Sequence, residues 1–254
     1  MRLVDSHAHL EDLENLKEAI HRAEAKGVAA IVTMGSDRKS SLWSLEESKK
    51  YETENLRIYP AIGIHPWSLN AGNLAGDLRF IEENAYRAAA IGEIGLDYWY
   101  RDVRKNSGKK EKQRELFRKL LEIAKRNNKP VSIHSRGAWM DCVEITAEIG
   151  VKRAVFHWFS GPKEALKRLL DYGYYVSATP AAEYSKEHRE VIRNTPLENL
   201  LLETDSPVSY RGKPAEPADV VKSLSAVANL KNVNEEKVAE ETFENAREVF
   251  KINF

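Results

Sequence analysis

The chain has 254 residues, 42% of them hydrophobic, and its 39 Lys plus Arg exactly balance 39 Asp plus Glu for a formal net charge of zero. That composition excludes collagen-like, mucin-like and disordered chains, because enough apolar surface is present to offset the entropy of folding. The balanced charge excludes a global field drawing the protein to nucleic acid or a membrane. In chain order, Leu3 to Asp5, Val28 to Met34, Leu56 to Gly63, Ala88 to Gly95, Pro130 to His134, Arg153 to His157, Tyr174 to Ala178 and Leu200 to Glu203 read as eight strands, by run length and flanking turn residues. Helix-period segments separate them. In Gln113 to Asn127, Leu116, Phe117, Leu120, Leu121 and Ala124 keep the spacing of a helix buried along one stripe. Eight successive βα units in a chain of this length fit an α/β fold, a (β/α)8 TIM barrel forming one domain over residues 1–254, better than an open doubly wound sheet. Lys213 to Leu230 and Asn234 to Phe250 are the expected C-terminal closing helices.

No run approaches the ~20 apolar residues that span a bilayer. The opening MRLVDSHAHL lacks the apolar region of a secretion signal, and the single cysteine, Cys142, reads as a small buried hydrophobe with no internal disulfide partner. A cytoplasmic location with no membrane attachment and no protein partner is expected. Gln113 is the sole glutamine and Lys and Glu dominate the polar residues, a bias of proteins from hot environments that points to a thermophilic source.

Barrel enzymes carry their chemistry on the C-terminal ends of the strands. Here those ends read DSHAH (5–9), GIHP (63–66), GEIGLD (92–97), HSR (134–136), FHW (156–158) and ETDSP (203–207), and they hold five of the seven histidines. Only His21 and His188 fall in apparent surface helices. His7 and His9 are two apart, so in an extended segment both rings point to one side, as two ligands of one metal must. Each residue alone has a bland reading: a satisfied core His pair, a Glu93 ion pair with Arg136, an Asp205 turn cap. Converging with His134 and His157, they form six nitrogen and oxygen donors without a thiolate, which suits a dinuclear hydrolytic centre and not a closed structural zinc site. Neither a P-loop nor a dinucleotide-binding GxGxxG occurs. Trp139, Trp158, Phe159, Tyr98 and Trp99 follow strand ends, where walling a cleft and packing under loops weigh evenly.

DSHAHL, GIHP, GEIGLDY, the Gln113-x-x-x-Phe117 helix ahead of PVSIHSR, FHWFSG, LLETDSP and a late Glu216-Pro217 resemble, in order and along the whole chain, the TatD family of metal-dependent deoxyribonucleases among the amidohydrolase-type barrels. The resemblance implies two divalent ions (Mg²⁺, Mn²⁺ or Zn²⁺). His7, His9, Glu93 and Asp205 would hold one, and Glu93, His134 and His157 the other, with Glu93 bridging; His65 and Arg136 would meet the substrate phosphate. Ala8 and Trp158 stand where the family often has Cys, and Trp67 where it often has His. None is a ligand, so these departures bear on substrate choice.

The expected reaction is hydrolysis of DNA phosphodiesters, in single strands or at strand ends, by metal-activated water with Asp205 as general base. Arg136 would bind phosphate bidentately, Ser160 ahead of Gly161-Pro162 would bring a helix N-terminus to another phosphate, and Tyr98, Trp99 or Tyr100 would stack a base. The ligand set does not separate phosphorus from carbon. An esterase, deacylase or amidohydrolase acting on another substrate, such as an acylated RNA end, is therefore one alternative, and a non-catalytic, metal-stabilised binding protein is another. From Arg101 to Lys119, nine cations face Asp102, Glu111 and Glu115, and a flexible cationic flap beside the metals is expected there.

Overall fold

Each strand is joined to the next through a helix, a crossover that imposes parallel pairing. The computed structural model describes residues 1–70 and 73–252. Its eight-stranded parallel sheet runs in sequence order: β1 (Leu3–Ala8), β2 (Val28–Thr33), β3 (Arg57–Ile62), β4 (Ala90–Gly95), β5 (Val131–His134), β6 (Ala154–Phe156), β7 (Tyr175–Ala178) and β8 (Leu200–Leu202). The helices that follow them in turn are α1 (Leu16–Ala25), α2 (Arg38–Glu46), α3 (Leu74–Asn84), α4 (Ser107–Arg126), α5 (Trp139–Ile149), α6 (Lys163–Asp171), α7 (Lys186–Asn194) and α8 (Val220–Lys231), with α9 (Glu235–Phe250) last.

Successive strand residues face opposite sides, and the core divides accordingly. Leu3, Ile31, Ile91, Phe156 and Leu202 point out to the helices and pack with Phe117, Leu120 and Leu166. Their neighbours Val4, Ala30, Ala90, Val155 and Leu201 point into the barrel and meet Phe243, Ala246, Val249 and Phe250 of α9. Small alanines on the inner face leave room for these phenylalanines. Arg153, just before β6, donates to Val249 O at 3.1 Å. The plug therefore sits at the N-terminal end of the strands, and the C-terminal mouth is left for polar groups.

From β8 the barrel returns to β1 through a seam of discrete contacts. Ala8 and Ser206 form a parallel bridge, Asp205 N–H donates to His7 O at 2.9 Å and His9 N–H to Ser206 O at 2.7 Å. Below them the buried Asp5 carboxyl accepts the Thr204 backbone N–H at 2.9 Å and meets the Thr204 hydroxyl at 2.6 Å. Burial pushes Asp5 up to about 8 in spite of these bonds.

Two expectations need correction. Lys213 to Asp219 is not helical: Lys213–Pro214 (β10) pairs antiparallel with Ser209–Tyr210 (β9), and a 3-10 turn over Pro217–Asp219 precedes α8. Pro214 and Pro217 lack backbone donors and push the residues before them toward extended geometry. The cationic run is also mostly helix, because Asn106 caps Lys109 N–H at 3.0 Å and α4 starts at Ser107. Arg114 and Arg118 are spent on Asp141 and Glu148 across the α4–α5 contact.

Thr204→Val keeps the seam's shape and removes a hydroxyl partner of a buried carboxyl, so unfolding free energy should fall by about 1–3 kcal/mol. Urea unfolding of both proteins checks this; a difference under about 0.5 kcal/mol, the range of ordinary surface substitutions, would deny the seam its role.

Candidate functional site

β1, β4 and β5, the residues following β3 and β6, and the loop after β8 converge on the Glu93 carboxylate, which is 4% exposed. Its two oxygens divide the surrounding groups. Oε2 lies 3.3 Å from His9 Nε2 and 3.7 Å from His7 Nε2, and Asp205 Oδ1 stands 3.7 Å from the first of these nitrogens and 3.6 Å from the second. Oε1 lies 2.8 Å from His157 Nε2, 2.9 Å from His134 Nδ1 and 3.4 Å from His65 Nε2. Three triads with ligand atoms within 4.8 Å of one another can hold a metal ion: His7, His9 and Glu93; His65, Glu93 and His134; and His7, His157 and Glu203.

Outer partners decide which nitrogens point a lone pair inward. His7 Nδ1 meets Ser132 Oγ at 3.0 Å, and His134 Nε2 meets Asp97 Oδ2 at 3.2 Å. With protons on those outer atoms, His7 Nε2 and His134 Nδ1 could each turn a lone pair to a cation in place of an inner proton, such as the one His134 Nδ1 donates to the ionised Glu93 at 2.9 Å. They face His9 Nε2 and His157 Nε2 at 3.3 Å each. His157 Nδ1 and Glu203 Oε1 are 3.5 Å apart, and among the described residues the buried His157 Nδ1 and Glu203 Oε2 find no hydrogen-bond partner. His65 is set the other way: Nδ1 accepts the Trp67 backbone N–H at 3.2 Å, which leaves its proton on Nε2.

Burial would raise Glu93, but the charges of His65 and His157 and the hydrogen bonds of His134 and His157 outweigh it and hold the carboxyl well below its ordinary range. Asp205 goes the other way. Burial, with the nearby negative charges of Glu93 and Glu203, pushes it up to about 7 against the pull of His157 and His9. Burial and the stacked His157 lower His7 to about 4, whereas Glu93 and Asp205 overcome burial and raise His9 to about 9. Asp205 and Trp158 both have left-handed backbone, φ 51° and 40°. Aspartate tolerates this conformation and a bulky tryptophan does not; there the Trp158 N–H reaches Glu203 Oε1 at 2.9 Å.

All six expected ligands and His65 thus meet at one point, and the remaining expected contacts are distributed around it. Arg136 lies on Asp97, with Nε and Nη2 at 3.0 and 2.8 Å from Oδ2. Ser160 donates its hydroxyl to Trp158 O, and α6 begins behind Pro162 with no side-chain cap. Tyr98 gives its hydroxyl to Asp141 and has Lys110 and Arg114 over its ring, so it braces the loop against α5. Trp99 packs edge-on against Trp139. His21 is exposed as expected, but His188 is fully buried: its Nδ1 meets Phe159 O and its Nε2 accepts the Thr179 N–H. The spacing of His188, Val191 and Ile192 was the signal for an inward face. Sequence reasoning named Glu203 only as a strand-end residue and missed Ser132, although it shares the inner face of β5 with His134.

The family model described as TatD related DNase matches residues 4–251. The chain is 35% identical over 99% of its length to the whole of the uncharacterized metal-dependent hydrolase YabD of Bacillus subtilis. It is 30% identical to human deoxyribonuclease TATDN3, over 98% of this chain and 94% of that protein. The crystal structure of YjjV, a TatD homologue from Escherichia coli, superposes with a TM-score of 0.87 at 25% identity, covering 99% of both chains. A barrel of this architecture with a His-Glu cluster at its mouth defines a metal-dependent hydrolase. The chain belongs to the TatD family. Among the described residues, no helix is long and apolar enough to cross a membrane.

Burial lowers His188 from its ordinary 6.5. A depressed histidine contributes stability above its unfolded value and loses it as pH falls, so the native protein should lose more Tm than His188→Gln between about pH 7 and about pH 5. Parallel thermal melts check this, and identical slopes would contradict it.

Proposed function

We propose that this protein hydrolyses phosphodiester bonds of DNA, in single strands or at strand ends, with two divalent cations (Mg²⁺, Mn²⁺ or Zn²⁺) at the mouth of the barrel. The division of Glu93 carries the reading, since one oxygen faces His7 and His9 beside Asp205 and the other faces His134 and His157. His7, His9, Glu93 and Asp205 would hold one ion, and Glu93, His134 and His157 the other. The donor chemistry fits: two pairs of ring nitrogens stand 3.3 Å apart, close enough for a cation to take the place of the proton that each pair shares. The family model's description and the human relative's name support DNA as the substrate class.

When bound, the ions would lower the pKa of a water from 15.7 toward about 7 and neutralise charge on the phosphate oxygens. Asp205 takes the proton of the attacking water. Its carboxylate oxygen stands 3.6 Å from His7 Nε2 and 3.7 Å from His9 Nε2, beside the place where the ion would sit, and a nearby cation favours the ionised form that can accept the proton. His65 offers its Nε2 proton to a phosphate oxygen, because Trp67 occupies Nδ1. Arg136, whose side chain is 45% exposed, turns the free part of its guanidinium to the same group.

Incubating end-labelled single-stranded DNA and RNA with each metal tests the reading: DNA should shorten, and chelator should stop it. Failure with every metal, or release of a carboxylic acid from acylated RNA in place of strand cleavage, would replace it with the ester or amide alternative. Glu93→Gln should lose bound metal together with turnover. Asp205→Asn should keep at least the ion of His134 and His157 while turnover drops about 10²–10⁴-fold, the usual worth of a general base; near-normal turnover would remove Asp205 from that role. Arg136→Lys should lower kcat/KM on DNA although the charge is kept, and an unchanged value would leave Arg136 a structural partner of Asp97.

A further inference from the structure

Among the described residues, eight large hydrophobic side chains are exposed, and Trp67 (48%), Trp99 (57%) and Tyr100 (37%) lie together on the loops after β3 and β4. Trp99 leans on Trp139. Trp67 and Tyr100 stack on each other instead, with centroids 5.2 Å apart and planes 24° apart, and the Arg136 guanidinium lies 5.4 Å from the Trp67 ring centre.

Hydrogen bonds to one carboxylate hold this stack although much of it is in solvent. The Trp67 indole N–H donates to Asp97 Oδ2 at 2.7 Å, and the Tyr100 backbone N–H to Asp97 Oδ1 at 2.9 Å. Arg136 binds the same carboxylate, which is fully buried and also meets His134 Nε2. An aromatic group that served only packing would gain by burying its surface; this one is fixed in an exposed position, with its ring centre 6.1 Å from that of His134.

We propose that the Arg136–Trp67–Tyr100 stack is a subsite for a flat aromatic ring, the nucleobase of the nucleotide next to the bond that is cut. The inference rests on the phosphodiesterase reading above and adds to it a recognition element. Every base has a π-face, so stacking of this kind tolerates sequence, and the guanidinium adds a cation–π contribution. Asp97 ties the subsite to His134, so a base on the stack and its phosphate at Glu93 belong to one nucleotide step.

Two probes isolate the base: dAMP, and 2-deoxyribose 5-phosphate, which has the phosphate without the base. Calorimetric affinities for both are measured with the metal-loaded protein and again with chelator. The native protein should prefer dAMP, and Tyr100→Ala and Trp67→Ala should each cut that preference at least about fivefold, the low end of a base–aromatic stack. Trp67→Phe keeps a ring and loses the N–H to Asp97, so it should retain most of the preference. An equal preference in native protein and Tyr100→Ala, or a Trp67→Phe variant that weakens both probes equally and as much as Trp67→Ala, would overturn the subsite and leave Trp67 a positioning residue for Asp97. If the native protein cuts no strand with any metal, the deoxyribonuclease reading fails, while the ratio of the two affinities still decides the subsite.

Discussion

Everything at the mouth depends on how the barrel is closed. A sheet of eight parallel strands has two free edges until β8 finds β1, and here the join is made by few contacts, with the buried Asp5 carboxyl and Thr204 beneath the Ala8–Ser206 bridge. Those contacts fix the relation between the two segments that carry His7, His9 and Asp205. Without the seam, Asp205 would sit on one edge of an open sheet and the two histidines on the other. Buried polar pairing of this kind costs more to break than it yields when made, which makes the closed register unforgiving of slippage.

Two carboxylates then share the electrostatic organisation. Glu93 sits among five ring nitrogens and stays ionised against its burial; Asp97 stands one layer out and is likewise held below its ordinary range against burial by His134 and Arg136. The first gathers groups around a point. The second distributes orientation, reaching a cluster histidine, an arginine and the aromatic loop at once. Gln113 braces this arrangement from α4 by accepting the Asp97 backbone N–H at 3.0 Å and donating to Pro66 O, so the sole glutamine of the chain is a strut between the loops after β3 and β4.

The strands were legible because apolar runs such as Val28–Thr33 are short, bounded and regularly spaced, and the mouth was legible because its histidines and carboxylates all fall on strand ends. What stayed hidden is set by tertiary geometry. Asp5 and Thr204 are 199 residues apart, and nothing local marks them as partners. The bond from Trp67 to Asp97 depends on a side-chain rotamer, and the left-handed backbone at Trp158 contradicts its residue type. Charge patterning misled at Arg101 to Lys119, where most of the cations ride on a helix that a single asparagine starts earlier than hydrophobic periodicity indicates.

The α9 plug has a consequence for how the chain folds. Val4 of the first strand and Phe250 of the ninth helix share one core, so the inside of the barrel cannot be completed by any contiguous fragment. Loop closure across nearly the whole chain must precede that burial, and such non-local contacts slow folding. The outer layer, where each helix covers adjacent strands, can assemble piece by piece, but the inner layer forms all at once and late. Partly assembled forms therefore expose two strand edges and an apolar lumen together, the combination most prone to association between chains.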